Sequence, residues 1–289
     1  MELYAVLLVT RNNIYSEKAI DCLLKSKTKK GIIKFISIPR KLYELISHKI
    51  PKKDINIIIQ EKKHSSLWNH MKAIAKSLKT DYIIFLHDDD LIDENFIIKT
   101  WSILLKEKPS ALASRVNFVG ANDKSLQSRQ FIPRSKIVSM TDVKILQKYF
   151  SPFERCIVFP TIAYDRNLLL EYWRKYKRNL GYGEDVRLVH FFAKKGRFLE
   201  NQDSRLFKYR IYDGQGSSSF SVHSRLVIIA WLKSTNLNFF YKRLFVFFAK
   251  MQYLIYSKLN FSKKNLLGQI ILKIRPVLYW KRGGGNEID

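Results

Sequence analysis

Acid is what this sequence lacks most. The chain of 289 residues carries 25 Asp and Glu against 52 Lys and Arg, a formal net charge of +27. From Gly214 to Asn286 there is not one Asp or Glu. An excess of that size argues against a basic or cationic partner. It points to a polyanion: nucleic acid, an anionic membrane surface or phosphorylated substrates. Cysteine is nearly absent too. Cys22 and Cys156 are the whole complement and show no metal-ligand spacing, which excludes a disulfide scaffold and fits a reducing compartment. No apolar run reaches the roughly 18 residues of a spanning helix. The opening MELYAVLLVT has no basic n-region and no cleavage site, so the expectation is a cytoplasmic protein. Disorder is not expected, because 46% of residues are hydrophobic and 13% aromatic.

What is present is an alternation of apolar runs and amphipathic stretches. Leu3 to Val9, GIIKFISI (31–38), INIIIQ (55–60) and YIIFLH (82–87) read as buried strands. Between them, a helix is predicted from an N-cap at Ser16, and another over Leu67 to Leu78. DENFIIKTWSILLKE (93–107) reads as a further helix, acidic at its start and basic towards its end. Strands alternating with helices at this spacing imply an α/β fold, a mainly parallel sheet covered on both faces. Residues 110–140 are short apolar pieces. Helices are predicted over 141–149, 166–177 and 184–195, and one or two strands over 196–212.

Ligands of such sheets bind beyond the carboxyl ends of the strands. Two polar groups fall there: Thr10, Arg11 and Asn12 after the first strand, and Asp88, Asp89 and Asp90 after the fourth. Three adjacent carboxylates repel one another, and a helix cap needs only one. A hard divalent cation, Mn²⁺ or Mg²⁺, takes such oxygens and leaves positions open for phosphate.

These residues carry a resemblance. DYIIFLHDDDLID (81–93) resembles the aspartate motif of family 2 glycosyltransferases, inverting enzymes of GT-A fold that use nucleotide sugars. His87 stands where the first aspartate of that motif is common. VLLVTRNN (6–13) resembles the family's first strand and nucleotide-binding turn, and SSLWNHMKAIAKSLKTDYIIFL (65–86) the helix leading into the motif. The likeness spans roughly residues 3–220. It implies metal binding at Asp89 and Asp90, and donor binding at Thr10, Arg11, Asn12 and Asp88. NLGYGEDVRLVHFFAKKGRF (179–198) resembles the acceptor-side Glu-Asp motif, which implies Asp185 as general base and Glu184 as its neighbour orienting base or acceptor. YRIYDGQGSSS (209–219) resembles the loop over the diphosphate, implying donor contacts from Arg210 and Ser217; Tyr212 stands where many relatives carry His.

The resemblance therefore implies a nucleotide diphosphate sugar as donor, most simply a UDP-sugar, and a saccharide or lipid-linked saccharide as acceptor in surface polysaccharide assembly. Residues 1–222 would be the catalytic domain, with a nucleotide-sugar half to about residue 110 and an acceptor half from about 111 to 222. Residues 223–289 form a helical basic and aromatic region. Leu226 to Arg282 holds eleven Lys or Arg and twelve Phe, Tyr or Trp. That mixture suits a helix lying on anionic lipid or a hairpin docked on the catalytic domain. The expected location is peripheral, on the inner face of the cell membrane. No specific nucleic-acid partner is expected, since the aromatics are mixed with Leu, Ile and Val. The alternatives are a metal-dependent nucleotidyl or phosphoryl transferase, and a non-enzymatic RNA- or membrane-binding module.

Overall fold

The computed structural model describes residues 1–51, 54–61, 66–126, 136–151, 157–177, 183–212 and 222–258. In chain order the elements are β1 (Leu3–Leu8), α1 (Ile14–Lys25), β2 (Ile32–Pro39), α2 (Arg40–Ile46), β3 (Asn56–Gln60), α3 (Leu67–Ser77), β4 (Tyr82–His87), β5 (Leu91–Ile92) and α4 (Phe96–Glu107). There follow β6 (Ala111–Ser114), β7 (Asn117–Val119), β8 (Ile137–Met140), α5 (Asp142–Phe150), β9 (Ala163–Asp165), α6 (Arg166–Lys175), α7 (Glu184–Lys195), β10 (Phe198–Asn201), β11 (Phe207–Arg210), α8 (Val222–Ser234) and α9 (Phe239–Lys258). The chain divides into two compact units. One comprises Met1–Met140, Val158–Lys177 and Lys195–Arg210; the other comprises Thr141–Ile157, Arg178–Lys194 and Ile211–Asp289.

The first unit holds an eight-stranded sheet in the order β3-β2-β1-β4-β9-β6-β10-β8. The four strands β3, β2, β1 and β4 run parallel. β9 enters antiparallel between β4 and β6, and β8 closes the far edge antiparallel to β10. The expected α/β fold with a mainly parallel sheet flanked by helices is present. β1 and β4 form its centre because their runs are apolar on both faces: Leu3, Ala5, Val6, Ile83 and Ile84 are fully buried. Their register aligns Leu3 with Tyr82 and Leu8 with His87. The residues just beyond the two strands therefore emerge side by side. A second, three-stranded sheet, β5-β11-β7, pairs Phe207 with Ile92 and Arg210 with Val119, bringing the end of β11 to the turn after Asp90.

The start of α1 corrects one sequence expectation. Asn13, not Ser16, is the N-cap; its side chain accepts from the backbone N–H of Tyr15 and Ser16. Ser16 Oγ accepts in return from Asn13 N at 3.1 Å, so Ser16 is the N3 member of a capping box. Asn matches or exceeds Ser as a cap. The three-residue offset lets both residues cap, and it leaves Thr10 to Asn12 in an extended turn.

In the second unit α8 and α9 form a hairpin that buries Ile228, Ile229, Leu232, Leu237, Phe245 and Ala249 against Leu146 and Phe150 of α5 and Val186 of α7. Full burial of a Leu or Phe of this kind contributes about 1.5–3 kcal/mol. The opposite face of α9 is different. Phe240 (67% exposed), Phe247 and Met251 point outward beside Arg243 and Lys250, and the Arg243 guanidinium lies over the Phe239 ring. Among the described residues no helix is long and apolar enough to cross a membrane.

Candidate active site

The aspartates after β4 meet the turn after β1, as the register requires. Asp88 Oδ2 accepts from Thr10 N (2.6 Å), Thr10 Oγ1 (2.9 Å) and Arg11 N (3.1 Å), and Asp88 Oδ1 accepts from Arg11 Nη2 at 2.6 Å. Asp88 is thus engaged at both oxygens and acts as the bolt between the two strand ends. Arg11 Nη2 also pairs with Asp89 Oδ2 at 3.0 Å. Burial works against the Arg11 charge, but Asp88 and Asp89 outweigh it and hold the guanidinium protonated beyond its usual range. Asn12 is exposed next to this turn.

The other side of the loop is held by Arg210, which is completely buried. Its backbone N–H donates to Asp90 Oδ1 (3.0 Å) and its Nε to the Asp89 carbonyl (2.8 Å). Nη1 donates to the Ala121 carbonyl and to Asp123, and the guanidinium stacks 4.4 Å from the centre of the Tyr15 ring. Asp123 also receives Lys18 Nζ at 2.6 Å. Its partial burial would push its pKa up, yet Lys18 and Arg210 hold its carboxyl below the usual range. Sequence reading placed Arg210 near the loop but missed Tyr15, Lys18 and Asp123. Nothing in their local sequence marks them, because each joins through a contact across 87 residues or more of chain, or through a ring face.

The three carboxylates are all nearly buried: Asp88 is 3% exposed, Asp89 4% and Asp90 4%. Among the described residues, the carboxylates of Asp88, Asp89, Asp90 and Asp123 gather with the cations Arg11, Arg210 and Lys18. Burial, reinforced by the Asp89 charge, pushes the Asp90 carboxyl well above its ordinary range. Burial likewise pushes the His87 imidazole down, against the pull of Asp89 and Asp88. Among the described residues, Asp90 Oδ2 and His87 Nε2 are buried atoms here without a hydrogen-bond partner. One ligand atom from each of His87, Asp89 and Asp90 lies within 4.8 Å of the others. Orphaned buried atoms beside clustered carboxylates are what a divalent cation would relieve. Nearby, His87 and Trp68 both lie against the Phe159 ring, at 6.0 and 5.1 Å between centroids.

In the second unit, Glu184 and Asp185 open the first turn of α7, where the helix dipole favours carboxylates. Arg187 Nη2 donates to both Glu184 oxygens, at 2.8 and 2.7 Å, in a nearly buried pair. Asp185 is half-buried and accepts from Val186 N at 2.9 Å. The glycine before them is required sterically: a Cβ on Gly183 would lie 2.4 Å from Ile228 of α8. Ser217 lies outside the described residues, as does Cys156.

Three solved structures of S. aureus TarS share this fold. The chain superposes on residues 1–349 of TarS with a TM-score of 0.59 at 13% identity, covering 98% of this chain and 87% of that one. For TarS 1–349 in complex with UDP-GlcNAc the values are 0.60, 14%, 97% and 81%. For its complex with UDP they are 0.59, 15%, 98% and 87%. At these identities the likeness is one of fold. No protein-family model and no curated protein sequence matches the chain.

Proposed function

We propose that this chain is an inverting glycosyltransferase that transfers a sugar from a nucleotide diphosphate sugar, a UDP-sugar first, to a saccharide acceptor. The observation that carries the proposal is the buried aspartate loop at the carboxyl end of β4, bolted to the turn after β1 and converging with His87 on one point. The fold adds support, since TarS has it and TarS structures hold UDP-GlcNAc and UDP. In this reading Thr10, Arg11 and Asn12 face the nucleotide, with Asp88 fixing their turn, and Ser217 adds a donor contact. Asp89 and Asp90 hold Mn²⁺ or Mg²⁺, and His87 is close enough to join them. A bound divalent ion would neutralise charge developing on the leaving diphosphate. Arg210 acts from beneath, positioning the loop through the Asp89 carbonyl and Asp90.

Inversion needs one base for the acceptor hydroxyl, and Asp185 is proposed for it. Glu184 is paired through both oxygens with Arg187 and orients base or acceptor. Residues 1–222 are proposed as the catalytic part, and residues 223–289 as a part apposed to an anionic membrane. The acceptor is then a lipid-linked saccharide of surface polysaccharide assembly, met at the cytoplasmic face. The outward Phe240, Phe247 and Met251 with Arg243 and Lys250 support that apposition.

Thermal stabilisation by UDP, GDP and CDP with Mn²⁺, followed by turnover of UDP-sugars against nucleoside triphosphates, tests the proposal. Selective stabilisation by one diphosphate and release of sugar is expected. Turnover of triphosphates alone would replace it with a nucleotidyl transferase. Salt-dependent RNA binding without donor turnover would replace it with a binding module.

A further inference from the structure

The sequence presents three consecutive aspartates, but the structure does not offer three equivalent ligands. Asp88 is spent: its two oxygens take four donors from Thr10 and Arg11. The side chains that converge on one another are His87, Asp89 and Asp90, and they contribute a nitrogen and carboxylate oxygens. Two of the three present a buried atom with no other partner, His87 Nε2 and Asp90 Oδ2. We propose that His87 is a ligand of the divalent cation, so that the chain holds its metal in a mixed nitrogen and oxygen set and selects Mn²⁺ over Mg²⁺.

The geometry allows this. Ligand atoms on opposite sides of an ion bound at about 2.1 Å stand about 4.2 Å apart. A span of 4.8 Å closes onto an ion by a small inward movement of the ligands. The chemistry sets the direction of the preference. Mg²⁺ is a hard ion that takes oxygen and keeps its waters, whereas imidazole suits first-row transition ions. His87 ends β4 and its ring lies against Phe159, so its position is fixed before any ion arrives. Fixing a ligand in advance lowers the cost of ordering it on binding.

This inference rests on the function proposed above, and the two fail in different experiments. Mn²⁺ and Mg²⁺ are titrated calorimetrically into the full chain, alone and then with UDP, for the native protein and for His87→Ala. The native protein is expected to prefer Mn²⁺ by at least tenfold, and His87→Ala to lose most of that preference while still binding through Asp89 and Asp90. Pulsed EPR of the native protein with Mn²⁺ is expected to show coupling to an imidazole ¹⁴N, absent in His87→Ala. If His87→Ala does not fold, the native ¹⁴N coupling decides alone. Mn²⁺ bound without ¹⁴N coupling, or an unchanged Mn²⁺ to Mg²⁺ ratio in His87→Ala, would overturn the inference and leave the glycosyltransferase reading intact. Failure of UDP to bind with any metal would instead strike that reading.

Discussion

Replacing Arg210 with methionine tests whether the aspartate loop is held from the interior. The substitution keeps much of the side-chain volume and deletes the charge. It abandons two backbone carbonyls, those of Asp89 and Ala121, together with Asp123 and the face of Tyr15. Removing one partner of a buried ion pair costs about 3–5 kcal/mol. Asp123 is 26% exposed and keeps Lys18 as a second cation, which moves the expectation to the lower end. The Asp90 contact survives, since it is made by the backbone N–H. A loss of about 3 kcal/mol is therefore expected, or a Tm lower by about 6–12 °C for a chain of this size. Melting curves and urea titrations of both proteins give the number. Asp123→Asn in the same background should recover about 1 kcal/mol by relieving an uncompensated carboxylate. A loss under about 0.5 kcal/mol, with no coupling to Asp123, would refute the idea that Arg210 supports the loop.

Asp89→Asn should abolish Mn²⁺-dependent UDP binding and leave the melting curve nearly unchanged; unaltered calorimetric binding would remove Asp89 from the metal set. Asp185→Asn should lower turnover by about two to four orders of magnitude with donor affinity unchanged, and near-native transfer by the variant would eliminate it as base. His190 gives a pH signature. Burial pushes its imidazole down to about 4, outweighing the pull of Asp142, with Lys194 adding to the fall; Trp231 packs edge-on against the ring. The unfolded chain takes up that proton below about pH 6.5 and the native chain only near 4, so stability falls as pH drops through that window, by about 3 kcal/mol at most. In His190→Leu the slope of unfolding free energy between pH 6.5 and 4 should flatten, and an unchanged slope would assign the acid loss elsewhere. Phe240→Ser with Phe247→Ser should weaken co-sedimentation with anionic vesicles without lowering Tm, because both rings are outside the α8–α9 core; equal sedimentation at low and high salt would end the membrane proposal.

The parts of this fold that were legible in the sequence are those that local patterns determine. YIIFLH is uniformly apolar, and β4 occupies those six residues. The stretch predicted as a helix over 184–195 is α7. The alternation of strands and helices foretold that Thr10, Arg11 and Asp88 would share an edge, and the parallel register of β1 and β4 delivers them to one another. What was hidden depends on tertiary pairing. The role of Arg210 needs β5, a strand of two residues, to pair with β11. The docking of α8 and α9 was undecidable because apolar residues lie all round α9, so composition does not mark which face is covered. His87 was visible as a departure from a family pattern. Its convergence with Asp89 and Asp90 is set by a turn whose shape the sequence alone does not declare.

The span of chain between the aspartates and Arg210 has a consequence for synthesis. The contacts at Asp89 and Asp90 reach across 121 and 120 residues. A ribosome adding about 5–20 residues per second needs about 6–24 s to cover that distance. For most of that interval β1 to β4 are available to pair, while the carboxylates at the end of β4 have Arg11 but not their second guanidinium. A nascent or prematurely ended chain would thus own half of its eight-stranded sheet and still lack a finished loop. Completion of the loop requires that translation has passed residue 210, so a loop held from both sides arrives late and marks chains that have been extended past β11.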